Sequence, residues 1–229
     1  MMNNNTPLIK AIAVDYYGTL VDVGHPFDDI KQWLREYYSD LPINIDNIYI
    51  AFLKEQIKLQ NGGKFYSGQD IMIKSYKKAC DKYNTPFHGD EFCKLIYRLF
   101  TYPLSFPNVK QTITKLRKHY PVLLLTNADN NILYESIKLQ GFDFDFVLSS
   151  EDLQCNKPNI KIFKRASELL NVSPEHVLMI GDSLSEDIYG AIGCGMQAIW
   201  INKENCQCDT SILQIASINE VESILQLSR

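Results

Sequence analysis

Asp15 stands directly after Leu8-Ile9-Lys10-Ala11-Ile12-Ala13-Val14, an apolar, branched run with the composition of an interior strand. An ionised carboxylate at such a place is costly to bury without a partner or a chemical task. Within Asp15-Tyr16-Tyr17-Gly18-Thr19-Leu20 the Gly18-Thr19 pair turns the chain away. Asp15 is thereby left at the carboxyl edge of a sheet, where open α/β sheets bind ligands. Three later segments put polar residues at comparable strand exits. Thr126-Asn127 follows the run Val122-Leu123-Leu124-Leu125, and a hydroxyl and an amide there are suited to an anion's oxygens. Lys157 precedes Pro158, whose restricted φ holds the lysine extended at the start of a helix. Asp182 ends the run Val177-Leu178-Met179-Ile180-Gly181, and Asp187 falls in the first turn of the next helix. Each segment alone is explained by helix capping or a solvated side chain. Their shared position at strand exits is what sets them apart.

Charge indicates what such a group would hold. Asp15, Asp182 and Asp187 would bring three negative charges together, and Lys157 offsets one. Carboxylates this close do not all stay ionised without compensation. A divalent cation removes the excess, and an all-oxygen donor set that tolerates water and phosphate suits Mg²⁺.

The four segments, in order, resemble the motifs of the haloacid dehalogenase superfamily. That resemblance implies Asp15 as the nucleophile, with Thr126 and Lys157 as its catalytic partners. It implies metal ligation by Asp15, Asp182, Asp187 and the backbone carbonyl of Tyr17. Substrate contacts would come from Thr126, Asn127, Lys157, Tyr17 and, from a helical cap, Lys54, with Arg35 earlier in the chain. The first segment departs from the superfamily's phosphatases, which carry D-x-D-G-T-L: Tyr17 replaces the second Asp, the general acid and base. D-x-Y-G-T-L is similar to the 2-haloacid dehalogenases, which work without metal and place Ser and Asn where this chain has Asp182 and Ser183. The retained acids favour Mg²⁺-dependent phosphoryl chemistry on a small phosphorylated molecule, slowed by Tyr17. Metal-free dehalogenation is the second expectation, and a catalytically weak ligand-binding protein the third.

The elements that must position these residues follow from periodicity. Short apolar strands alternate with helices from about Pro107 onward, the pattern of a parallel, doubly wound sheet covered on both faces. Strands are expected at 121–126, 144–148, 177–180 and 198–201, and helices near 109–119, 132–140, 160–170 and 186–193. Ser217-Ile218-Asn219-Glu220 has capping-box spacing and opens a last helix. Between Leu20 and about 104 lies a stretch with helical periodicity, with helices near 26–38, 44–60, 67–83 and 89–102. The expected fold is therefore α/β: a Rossmann-like doubly wound parallel sheet core (1–20 and 105–229) with a small four-helix bundle (21–104) inserted after the first strand as a cap. In that position the bundle can act as a lid. Tyr37, Tyr38, Tyr49, Phe65, Tyr66 and Tyr76, at helical spacing, read as bundle core, and Lys58 and Lys64 as solvated.

Composition bounds the partners. A net charge of -4 leaves no basic footprint for nucleic acid. No apolar run reaches membrane-spanning length, and Met1–Pro7 has no apolar core of a signal peptide. Six cysteines in 229 residues do not form a disulfide framework, and Cys206-Gln207-Cys208 reads as two free thiols on a loop. The expectation is a cytoplasmic protein.

Overall fold

The computed structural model describes residues 8–207 and 211–227. The expectations for Met1–Pro7 and for Cys208 lie outside these residues. Among the described residues the chain runs β1 (Ala11–Val14), β2 (Val21–Asp22), α1 (Pro26–Tyr37), α2 (Ile45–Gln60), α3 (Gly68–Lys82), α4 (Gly89–Thr101) and β3 (Leu104–Ser105). It continues with α5 (Val109–Arg117), β4 (Val122–Thr126), α6 (Asn130–Gln140), β5 (Phe146–Ser149), α7 (Ser150–Leu153) and α8 (Ile160–Leu170). Then come β6 (Val177–Gly181), a π-turn (Leu184–Ile188) running into α9 (Tyr189–Gly193), β7 (Gln197–Ile201), β8 (Leu213–Ile215) and α10 (Val221–Ile224).

Six strands form one sheet in the order β5-β4-β1-β6-β7-β8, every pairing parallel. β1, the strand that carries Asp15, is thus flanked by β4 and β6. Its four residues are all buried, as expected of a strand covered on both faces. Ala11 and Ala13 share one apolar cluster with Leu123, Leu125, Val177 and Met179, which Ile162, Phe163 and Ala166 of α8 cover. Ile12 and Val14 alternate to the opposite face. α8 is cut cleanly at both ends. Asn159 accepts the Lys161 N–H at its start, and Asn171, left-handed at φ 52°, ends it.

The short ribbon β2–β3, the strand β8 and the turn α7 are absent from the periodicity reading. β2 and β3 have two residues each, too few to show alternation, and β8 lies in a loop-like run. The expected helix at 186–193 begins as a π-turn. The Ser217 capping box is present, but it opens a 3₁₀ turn before α10 rather than one longer helix.

The chain divides into two compact units. One takes the described residues of Met1–Asp22, Leu104–Asn127 and Ile137–Arg229; the other takes Val23–Pro103 and Ala128–Ser136. In the second, α1–α4 share an apolar cluster that includes Leu34, Tyr38, Phe52, Tyr76, Phe92 and Ile96. Tyr38 and Tyr76 are fully enclosed and hydrogen-bonded to each other through their hydroxyls, so these two aromatics are core. Membership of 128–136 in this unit has a local cause. Both oxygens of the Asp129 carboxylate accept backbone N–H groups at the start of α3, from Gly68 and Gln69, each at 2.7 Å. The Ser67 hydroxyl accepts a third, from Asp70. A carboxylate bonded to two such orphan donors also meets the positive end of the helix dipole. None of the described helices is long and apolar enough to cross a membrane.

Candidate active site

Asp15 leaves β1 with its N–H donating to the Ile180 carbonyl of β6, 2.9 Å away, so the neighbouring strand fixes its backbone. The next five residues form a tight turn. Leu20 and Val21 donate their N–H groups to the Tyr16 carbonyl, and Gly18 donates to the Val21 carbonyl. Gly18 is required here twice over. Its φ is +79°, and a Cβ would stand 2.2 Å from Oδ2 of Asp182. The turn and the second acid are therefore in direct contact, and the Thr19 hydroxyl adds a hydrogen bond to Oδ1 of Asp182 at 3.2 Å.

Asp187 is held from β6. Its Oδ2 accepts the Ser183 N–H at 3.0 Å, and a Cβ on Gly181 would meet that same oxygen at 2.2 Å. Trp200 of β7 steadies the intervening residue by donating its indole N–H to the Asp182 carbonyl at 2.8 Å.

Lys157 enters between the acids. Its Nζ donates to Oδ1 of Asp15 (2.6 Å), to Oδ1 of Asp187 (2.5 Å) and to the Leu125 carbonyl (2.9 Å), and its side chain is only 2% exposed. All three ammonium donors are thus used, as a buried charge demands. The Lys157–Pro158 peptide bond is cis. Asn127 locks the backbone at this point: its Oδ1 accepts the Lys157 N–H (2.8 Å) and its Nδ2 donates to the Lys157 carbonyl (3.1 Å) and to Glu186 (2.9 Å). Sequence spacing marks Asn127 as an anion ligand; in the structure its amide also ties the Lys157 backbone in place. Thr126, 1% exposed, ends β4 beside it.

The Asp15, Asp182 and Asp187 carboxylates each present an oxygen within 4.8 Å of the others. Burial, reinforced by the charge on Asp15, pushes Asp182 up to about 6, against the pull of Lys203 and the Thr19 hydroxyl. Burial also raises Asp187, with Lys157 pulling the other way. Burial alone would lower Lys157, but Asp15 and Asp187 outweigh it and hold the ammonium above the usual lysine range. The cluster carries more negative charge than its own residues neutralise. That excess, on oxygen donors, fits a divalent cation.

Lys203 is the neighbour that spacing did not reveal. It follows β7 by two residues, donates its ammonium to the Gly18 carbonyl, and stands 3.8 Å from the centre of the Phe106 ring. The available signal was position, since it too leaves a strand at the same sheet edge. Lys54 is exposed on α2 in the helical unit, and Arg35 hydrogen-bonds Asp46 on the surface. Tyr17 is half-buried, with its ring edge-on to that of Tyr16 at 4.9 Å.

Residues 9–195 match the family of haloacid dehalogenase-like hydrolases. The chain belongs to this family. Among curated relatives, glyceraldehyde 3-phosphate phosphatase of Pyrococcus furiosus is 27% identical over 80% of this chain and 67% of its own length. N-acylneuraminate-9-phosphatase of Rattus norvegicus is 35% identical over 52% of this chain and 51% of its own length. The chain thus spans from about half to about two thirds of the length of these relatives. Among solved structures, 2-haloacid dehalogenase from Pseudomonas syringae shares the fold, with a TM-score of 0.75 over 96% of this chain and 99% of that one, at 22% identity. The parallel six-stranded sheet with flanking helices is the Rossmann-like core of this family.

Proposed function

We propose that this chain is a Mg²⁺-dependent phosphatase-like hydrolase acting on a small phosphorylated molecule, with a weakened acid–base step. The observation that carries the reading is the crowding of Asp15, Asp182 and Asp187 within 4.8 Å of one another around a single bonded ammonium. Displacement at carbon needs one carboxylate and no metal acids, so two further acids, Asp187 buried and Asp182 half-buried, would be a burden without purpose. The phosphatase names of both relatives support the same reaction class.

Asp15 attacks phosphorus, the bond to the leaving oxygen breaks, and an aspartyl-phosphate forms; water then attacks that phosphorus and frees Asp15. Lys157 aims the nucleophile and offsets charge on the transferring group, with Thr126 beside it. Asp15, Asp182, Asp187 and the Tyr17 carbonyl would hold Mg²⁺, which when bound supplies positive charge to the phosphoryl oxygens. The missing function is proton transfer. An ordinary phenol titrates near 10, poorly matched to protonating a leaving group at neutral pH. The substrate is one whose leaving group needs little help, or turnover is slow. Free thiols at Cys80, Cys93, Cys155, Cys194 and Cys206 support a reducing, cytoplasmic setting.

Beryllium fluoride with Mg²⁺, a mimic of the aspartyl-phosphate, raises the melting temperature of the wild type and not of Asp15→Asn. Tyr17→Asp raises hydrolysis of p-nitrophenyl phosphate by about 10²–10⁴, the usual worth of a positioned acid–base group. Absence of both responses overturns the reading. Tyr17 itself favours the dehalogenase alternative, which predicts halide release from 2-chloropropionate in the presence of a chelator, abolished by Asp15→Asn.

A further inference from the structure

Lys203 has no role in the chemistry described so far, yet its surroundings are built. It leaves β7, which lies on the opposite flank of β1 from the β4–β5 side that supplies Lys157. Asn202 fixes the turn that presents it: its N–H donates to the Ile215 carbonyl at 2.8 Å, its Nδ2 to the Cys206 carbonyl at 2.9 Å and to Gln214 at 2.7 Å, and its Oδ1 accepts the Cys206 N–H at 2.9 Å. Asn202 is therefore spoken for on both its amide atoms and on its N–H, and the following residue has a defined starting point. The ammonium of Lys203 then meets two groups of different kinds, the Gly18 carbonyl and the face of Phe106. Phe106 is held in turn, since its N–H donates to the Leu20 carbonyl at 3.1 Å and it follows β3, which pairs with β2.

We infer that Lys203 is a positioning residue that clamps the turn after Asp15 between the exit of β7 and the β2–β3 ribbon. The clamp acts on Asp15 and Asp182 together. Gly18, whose carbonyl Lys203 holds, has no Cβ because Asp182 packs against it, and the adjacent Thr19 bonds the same carboxylate. Release of the Gly18 carbonyl frees the peptide that links these two contacts. Lys203 also lends positive charge to a neighbourhood that includes Asp182, Asp22, Asp15 and Glu204. A surface cation that acted only through charge would repel a metal held by these acids. A clamp would instead help them hold it, because it keeps the donors in register. The two roles predict opposite effects of removing Lys203, and that makes them separable.

The consequence for metal and phosphoryl-mimic binding rests on the phosphatase reading; the clamp itself does not. Lys203→Met keeps an unbranched apolar side chain of similar length and removes the ammonium, and Lys203→Arg keeps the charge and a donor. Hydrogen–deuterium exchange of the ligand-free protein reads the turn directly. Lys203→Met exchanges about tenfold faster over residues 16–22 with β4 and β6 unchanged, the loss expected of one hydrogen bond from a charged donor, and Lys203→Arg stays near wild type. Phe106→Leu, which loosens the lysine without touching its charge, gives a smaller rise in the same peptide. Wild-type exchange in Lys203→Met overturns the clamp, as does acceleration spread evenly through the sheet. With Mg²⁺ and beryllium fluoride, the melting shift shrinks in Lys203→Met and returns in Lys203→Arg; a larger shift in Lys203→Met also overturns it. Should wild type show no such shift, the phosphatase reading fails while exchange still decides the clamp.

Discussion

At the level of single residues, the site is a problem in keeping charge apart. Lys157 is the only cation in direct contact with the acid cluster among the described residues, and it bonds two of the three acids while almost fully buried. Removing one member of a buried ion pair typically costs about 3–5 kcal/mol, because the partner is left charged and unpaired. Lys157→Met therefore destabilises the fold by about that amount at neutral pH. The loss is smaller at pH 5, where protonation relieves Asp182 and Asp187, and urea titrations at the two pH values measure the difference. Equal losses at both would show that Lys157 contributes packing rather than charge. Asn127 illustrates how a side chain's task depends on where its hydrogen bonds end. Its place after β4 suggests an anion ligand, and in the structure its amide bonds the Lys157 backbone and Glu186.

At the level of elements, what was legible in the chain was what repeats. The strands Val122–Thr126 and Val177–Gly181 are continuous apolar runs, and α2, α3 and α8 show both periodicity and end signals, so their extents follow from residue type. Ribbons of two residues such as β2 and β3 carry no period and surface only through pairing. For the same reason Asp15 and Asp182 were legible, since each directly follows a strand, while Lys157 and Asp187 were legible from the turns that lead into α8 and α9. The roles of Trp200, Phe106 and Lys203 were not, because they depend on which strands become neighbours. Asp129 belongs with these: its two bonds to the start of α3 join segments 60 and 61 positions apart. Asp129→Ala removes a carboxylate cap while Ser67 remains, and lowers stability by about 0.5–2 kcal/mol. Chemical denaturation checks the size, and Asp129→Asn, which keeps one acceptor oxygen, recovers part of it. No loss in either variant would mean Ser67 alone caps α3.

For the whole molecule, the crowded acids are a liability that, on the Mg²⁺ reading proposed above, a bound ion would convert into an asset. Asp182 is raised to about 6 in the folded state, and Asp187 is raised as well, relative to an ordinary aspartate near 3.9. A carboxyl raised on folding binds its proton more tightly in the native state. Its contribution is complete below the unfolded value and is lost as pH climbs through the folded one. Without divalent metal, stability therefore declines between about pH 4 and pH 6 and continues downward as Asp187 ionises. On the proposed Mg²⁺ reading, millimolar Mg²⁺ flattens that decline, since an ion bound only by the native state adds most stability where the acids are charged. Melting curves across pH, with and without a chelator, test this; a chelator-treated protein whose stability is flat over that window would refute it.

The central place of β1 also has a consequence in time. Lys157 reaches Asp15 across 142 positions, Thr19 reaches Asp182 across 163, and Lys203 reaches Gly18 across 185. Synthesis delivers β1 long before β4 and β6, the two strands that must close on either side of it. Until they do, β1 is an apolar strand with two open edges, the kind of segment that invites chaperones or wrong partners. Asp15 is thus made early and partnered late. A nascent chain lacks the contacts around Asp15 and Gly18 until Lys203 has left the ribosome and the sheet has closed around its first strand.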